Sequence, residues 1–137
     1  MKVGHMMSSD VCVVSPDDSL REAAKLMAEY DIGSLPVGEN DRLVGFLTDR
    51  DIAIRAVARG LSPDSRVREA MSNDVKYCHE DDDIESVAKN MASLEVRRLP
   101  VVNRDKRLVG IVSLGNFAGS GDSRASQDLL QGVAAPH

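Results

Sequence analysis

A hydroxyl and a carboxylate stand three residues apart at Thr48 and Asp51, within G-F-L-T-D-R-D at 45–51. A threonine ending a strand, with an aspartate in the first turn of the next helix, can do either of two things. The pair can close a helix cap, hydroxyl and carboxylate each satisfying a free backbone N–H. The same placement can hold a nucleoside phosphate. Helix-terminal amides and a hydroxyl favour the phosphate, and a carboxylate accepts hydrogen bonds from two vicinal ribose hydroxyls. Between them, Asp49-Arg50 reads as a solvated first turn.

A weaker copy follows in G-I-V-S-L-G-N at 110–116, where Ser113 replaces the threonine and Asn116 the aspartate. Asparagine can still bond a hydroxyl but loses the charge assistance, roughly a factor of two per bond. The Asp51 end is therefore expected to bind better. Arg97 and Arg98 precede Leu99-Pro100, whereas Gly33 and Ser34 precede Leu35-Pro36. They are either a solvated pair on a strand edge or a planar donor fork for phosphate held by the other half. Asp81-Asp82-Asp83 is read as a cap for the helix starting at Ile84, since calcium loops need alternating ligands and a glycine turn. Cys12, Cys78, His5, His79 and His137 are scattered, without the clustered spacing of a metal site or a disulfide framework. No nucleophile and base are placed together, so catalysis is not expected.

An internal duplication positions these residues. Displaced by 64, Met7-Ser8 meets Met71-Ser72, Met27-Ala28 meets Met91-Ala92, and Leu35-Pro36-Val37 meets Leu99-Pro100-Val101. After a polar stretch the displacement becomes 65, and Leu43-Val44-Gly45 meets Leu108-Val109-Gly110. A turn absorbs such an insertion. Each half starts with an apolar run (Val11 to Val14, Val75 to Cys78). A helix follows, with apolar positions at Leu20, Ala23, Ala24 and Met27 or at Ile84, Val87, Ala88 and Met91. Two short strands and a second helix complete the half, from Asp49 to about Ala58 before Gly60, or from near Leu114. The fold class is α/β (α+β), two β-α-β-β-α repeats expected to pack through their sheets about a pseudo-two-fold axis. Repeat one spans 1–62, repeat two 63–120, and a short helix and tail 121–137. A unit of about 60 residues is marginal alone, and the seam between two such units is a natural ligand cleft.

Composition narrows the function further. Seventeen Lys plus Arg against 22 Asp plus Glu give a net charge of −5, and aromatics are only 3%. A basic patch and a stacking platform for nucleic acid are both unexpected. Apolar runs reach about five residues, far short of the ~20 that cross a bilayer, so neither nucleic acid nor membrane is an expected partner. The start, M-K-V-G-H-M-M-S-S-D, has no apolar stretch of signal-peptide length, and the cytoplasm is the expected compartment.

The duplicated L-P-V and L-V-G strands, T-D-R-D-I at 48–52 and V-R-R-L-P-V at 96–101 resemble a tandem pair of CBS domains, a Bateman module. The likeness spans about residues 3–118 and is nearest to small stand-alone bacterial pairs, including the hypoxic-response type. It implies a regulatory module, not an enzyme, that binds AMP, ADP, ATP, S-adenosylmethionine or NAD between its repeats and signals occupancy by conformational change. No cofactor is required beyond that regulatory ligand. By resemblance, Thr48 and Asp51 contact phosphate and ribose. Gly33, Ser34, Leu35 and Pro36, with Val13, would flank adenine, and Arg98 beside Arg97 would reach phosphate. Ser113 and Asn116 would form the second, imperfect site. The family also implies a homodimer and a separate regulated protein. The competing reading is a ligand-free dimerisation or interaction module, in which Thr48 and Asp51 are only caps.

Overall fold

The computed structural model describes residues 1–113, which form two compact units. One runs from Cys12 to Val75. The other joins Met1–Val11 to residues 76–113.

In the Cys12–Val75 unit, α1 (Leu20–Tyr30) starts at Ser19, whose hydroxyl accepts the Glu22 N–H. It stops at Asp31, which adopts a left-handed conformation (φ 52°). Asp tolerates that region better than most L residues because its short side chain can bond locally. The antiparallel pair β1 (Ser34–Glu39) and β2 (Arg42–Thr48) follows, joined through Asn40 and Asp41, both at positive φ. Two such residues form the hairpin turn whose twist matches the strands. Leu35, Val37 and Leu47 face inward and are fully buried with Leu20, Ala23 and Met27. Each such large aliphatic contributes about 1.5–3 kcal/mol relative to exposure.

The second unit repeats this plan. A short β3 (Cys78–His79) pairs in parallel with β4 (Arg98–Val102), which pairs antiparallel with β5 (Leu108–Ser113). Between them, α3 (Ile84–Leu94) is capped by Asp83, whose carboxylate accepts the Glu85 N–H. The acidic triplet thus does serve the helix, as its sequence suggests. The strand registers match position for position: Ser34 lies opposite Thr48 as Arg98 lies opposite Ser113, and Val37 opposite Gly45 as Val101 opposite Gly110. Both ladders carry a bulge just beyond that last pair. The extra residue of repeat two falls in the 103–107 turn, where the Asn103 side chain accepts the Asp105 and Arg107 N–H groups.

Three features depart from the sequence reading. The opening apolar runs pair only at their ends, Val14 with Val37 and Cys78–His79 with Val101–Val102. Ala24 is exposed, while Leu26 is half-buried against the core. A single helix over Asp49 to Ala58 is replaced by one α-turn, α2 (Asp49–Asp51), running into a π-helical segment Ile52–Val57. Gly60 follows at φ 77°. The expected helices near Leu114 and at 124–131 lie outside the described residues.

Each unit also contains a segment that the duplication assigns to the other half. Val67, in a 3₁₀ turn, is buried with Leu35 and Leu47, and Ser72 forms a bridge with Phe46. Val3, in the matching turn, is buried with Leu99 and Val112, and Ser8 bridges Ile111. The compact units therefore divide the chain differently from the sequence repeats.

Candidate functional site

β2 ends at Thr48, and the next residue starts α2, so the hydroxyl sits where a strand becomes a helix. Its Oγ1 accepts the Asp51 N–H at 3.0 Å, and Asp51 Oδ2 accepts the Thr48 N–H at 3.0 Å. This is a complete capping box. The capping alternative is thus realised, and it fixes the positions of both functional groups. The Thr48 hydroxyl uses its oxygen as acceptor, so its proton can still be donated outward. Asp51 commits one oxygen. Oδ1 lies 3.7 Å from Arg55 Nε, and the side chain keeps 17% exposure. Arg55 in turn donates to the Met71 carbonyl.

The hairpin register places Ser34 directly across from Thr48. Gly33 is tied to the same end, its carbonyl accepting the Asp49 N–H at 2.8 Å. Four sequence-predicted residues, Gly33, Ser34, Thr48 and Asp51, are therefore gathered at one strand end. Leu35 and Pro36 are buried, and Leu35 belongs to the core, so a ligand could meet them through their backbone. Val13 is 41% exposed and stands against Gly38, four residues further along β1 from Ser34.

At the equivalent end of the other unit, Arg98 and Ser113 replace Ser34 and Thr48. Arg97 is exposed and Arg98 half-buried. Among the described residues, neither guanidinium has a hydrogen bond or ion pair. Asn116 lies outside the described residues.

Asp49, read from sequence as part of a solvated first turn, is exposed. Its carboxylate oxygen lies 2.9 Å from the point where a β-carbon on Gly33 would stand. Only the hairpin register brings these two together. The available sequence signal is the contrast between Gly33 and Arg97 at matching positions of the repeats.

The remaining polar residues read as structural. Asp82 accepts the His79 N–H, and the Asp81 carbonyl accepts from Lys2 Nζ. Among the described residues, no three His, Cys, Asp or Glu side chains are grouped to hold a metal. Burial, assisted by the Asp82 charge, pushes the Cys78 thiol up to about 12, which leaves it unreactive at neutral pH. No helix of the described residues is long and apolar enough to cross a membrane.

Comparison with known proteins agrees with this architecture. The CBS domain model matches residues 3–57 and 67–119. Hypoxic response protein 1 of Mycobacterium tuberculosis is 35% identical over 133 residues, 96% of this chain and 92% of that one. The CBS domain pair of protein MJ0100, solved with 5′-methylthioadenosine and S-adenosyl-L-methionine, superposes with a TM-score of 0.74. It is 30% identical and covers 86% of this chain and 93% of its own. CBSX2 in complex with AMP also gives 0.74, at 29% identity, covering 85% and 93%. With two matched repeats and a full-length relative, this chain belongs to the CBS domain family, as a tandem pair of the hypoxic-response type.

Proposed function

We propose that this CBS pair is a regulatory module that binds an adenosine-containing ligand at the Thr48–Asp51 end. The ligand class includes AMP, ADP, ATP, S-adenosylmethionine and NAD. The observation that carries the reading is the capping box itself. It holds a donor-capable hydroxyl and a carboxylate with one oxygen outside the box beside Gly33 and Ser34. The adenosine ligands named for MJ0100 and CBSX2 support it. In the proposal Asp51 accepts from the ribose hydroxyls and Thr48 donates to the ligand. The Gly33 to Pro36 backbone flanks adenine with Val13. Arg98 and Ser113 are the counterparts of Ser34 and Thr48 in the second repeat, with Arg97 beside Arg98. In the proposal the module senses its ligand and does not transform it.

Occupancy acts by differential affinity. A ligand that favours one conformation shifts the population toward it, and a homodimer or separate partner in the cytoplasm reads the shift. The experiment is thermal denaturation against adenosine, AMP, ADP, ATP, S-adenosylmethionine and NAD. A ligand at 100 times its Kd adds about 2.7 kcal/mol, which raises Tm by roughly 5–11 °C for a domain of this size. Asp51→Ala abolishes that rise. Unchanged melting with every compound refutes the proposal and favours a ligand-free interaction module.

A further inference from the structure

The two strand ends differ in charge: one carries a pair of arginines, and the other has neutral residues at those positions with a carboxylate beside them. Where repeat two presents Arg97 and Arg98, repeat one presents Gly33 and Ser34, and Asp49 occupies the space beside Gly33. The Asp49 backbone N–H is tied to the Gly33 carbonyl at 2.8 Å, and its Oδ1 accepts the Arg50 N–H at 2.8 Å. These two contacts hold the carboxylate over the glycine, and a side chain at position 33 would displace it. The carboxylate is solvent-facing and has no ion-pair partner among the described residues, Arg50 included. Asp51 adds a second negative charge, only partly offset by Arg55 at 3.7 Å.

We infer that Asp49 is a specificity-determining residue. Its fixed charge selects adenosine ligands of low negative charge, an uncharged nucleoside or a cationic sulfonium, over phosphate-rich ones at the Thr48–Asp51 end. This rests on the proposed adenosine site. A polyphosphate held by the Thr48 hydroxyl would lie near two carboxylates, whereas an uncharged group or a sulfonium escapes or reverses that repulsion. Gly33 is part of the device, because only a residue without a β-carbon leaves the carboxylate where it stands.

The test is calorimetric titration of the wild-type chain and of Asp49→Asn with adenosine, S-adenosylmethionine and magnesium-free ATP. The amide is nearly isosteric and its oxygen can still accept the Arg50 N–H, so unliganded melting should not move. Wild type binds adenosine and S-adenosylmethionine more tightly than ATP. Asp49→Asn strengthens ATP by about threefold or more, weakens S-adenosylmethionine, and leaves adenosine within about twofold. Gly33→Ala, which pushes the carboxylate aside, moves the ratio in the same direction. If the ligands bind but Asp49→Asn changes all three alike or none, Asp49 has no selective role. If wild type prefers ATP, the inference is likewise overturned. If no compound binds either protein, the adenosine reading fails and this inference with it.

Discussion

Thr48 and Asp51 exchange two hydrogen bonds of 3.0 Å, each side chain serving the other residue's backbone N–H. In the proposed function stability and recognition draw on the same pair, and substitutions can separate them. Asp51→Ala removes one cap bond together with the carboxylate oxygen that faces Arg55. It should lower stability by about 0.5–2 kcal/mol, the range for a lost cap, and eliminate ligand-induced stabilisation. Asp51→Asn keeps an acceptor for the Thr48 N–H, so it should recover most of the unliganded Tm while binding stays weak. Melts with and without ligand measure both effects.

Gly110 and Gly45 are packed against methionine sulfur. A β-carbon on Gly110 would stand 2.5 Å from Met7 Sδ and 2.9 Å from the Ser8 carbonyl oxygen. On Gly45 it would stand 2.6 Å from Met71 Sδ and 3.1 Å from the Ser72 oxygen. Gly110→Ala and Gly45→Ala should each destabilise by about 1–3 kcal/mol, the cost of overpacking. Gly110→Ala should be the worse of the two, because backbone at 2.9 Å cannot move aside as a methionine side chain can. Chemical denaturation of both variants tests the order.

The buried Cys78 thiol makes stability fall in alkali. The folded thiol ionises only near about 12, whereas an unfolded cysteine ionises near about 8.5. Between those values the folded state binds more protons, so stability declines as pH rises. Tm should drop above roughly pH 8.5, and Cys78→Ala should flatten that part of the profile. At neutral pH the native Cys78 should resist a thiol reagent until the chain is denatured.

Asp17 joins the acidic stretch before α1 to Arg66 and Arg68, bonding both. The Arg68 guanidinium bonded to its carboxylate holds that carboxyl below its usual range, with Arg66 adding to the effect. A lowered folded value means stability is present above about pH 4 and lost as pH falls through the folded pKa. Asp17→Asn should therefore reduce acid sensitivity below pH 4. The effect should be small and should shrink further in salt, since the pair is solvent-exposed.

Much of the fold is legible because the sequence states it twice. The displacement from 64 to 65 predicts that the two hairpins share a register and differ in their turns, as Asn40–Asp41 and the 103–107 turn do. Asp83 and Ser19 as caps follow from residue type at the head of an apolar period. The crossing of leading segments is not legible. Val3 and Val67 sit in short stretches without periodicity, and their burial depends on contacts far along the chain. Ala24 fits the apolar spacing of α1, but the period does not define the width of the buried stripe. The π-helical segment 52–57 has no Gly or Pro to announce it. At the proposed site, types and spacing foretell the mutual capping of Thr48 and Asp51. The Asp49–Gly33 contact emerges only once two strands are in register.

Backbone amide chemical shifts during titration with adenosine and S-adenosylmethionine test the central claim most directly, because they report where a ligand sits. The account predicts saturable shifts concentrated at Gly33, Ser34, Thr48 and Asp51, absent in Asp51→Ala. Saturable shifts elsewhere that leave these four amides unmoved would contradict it.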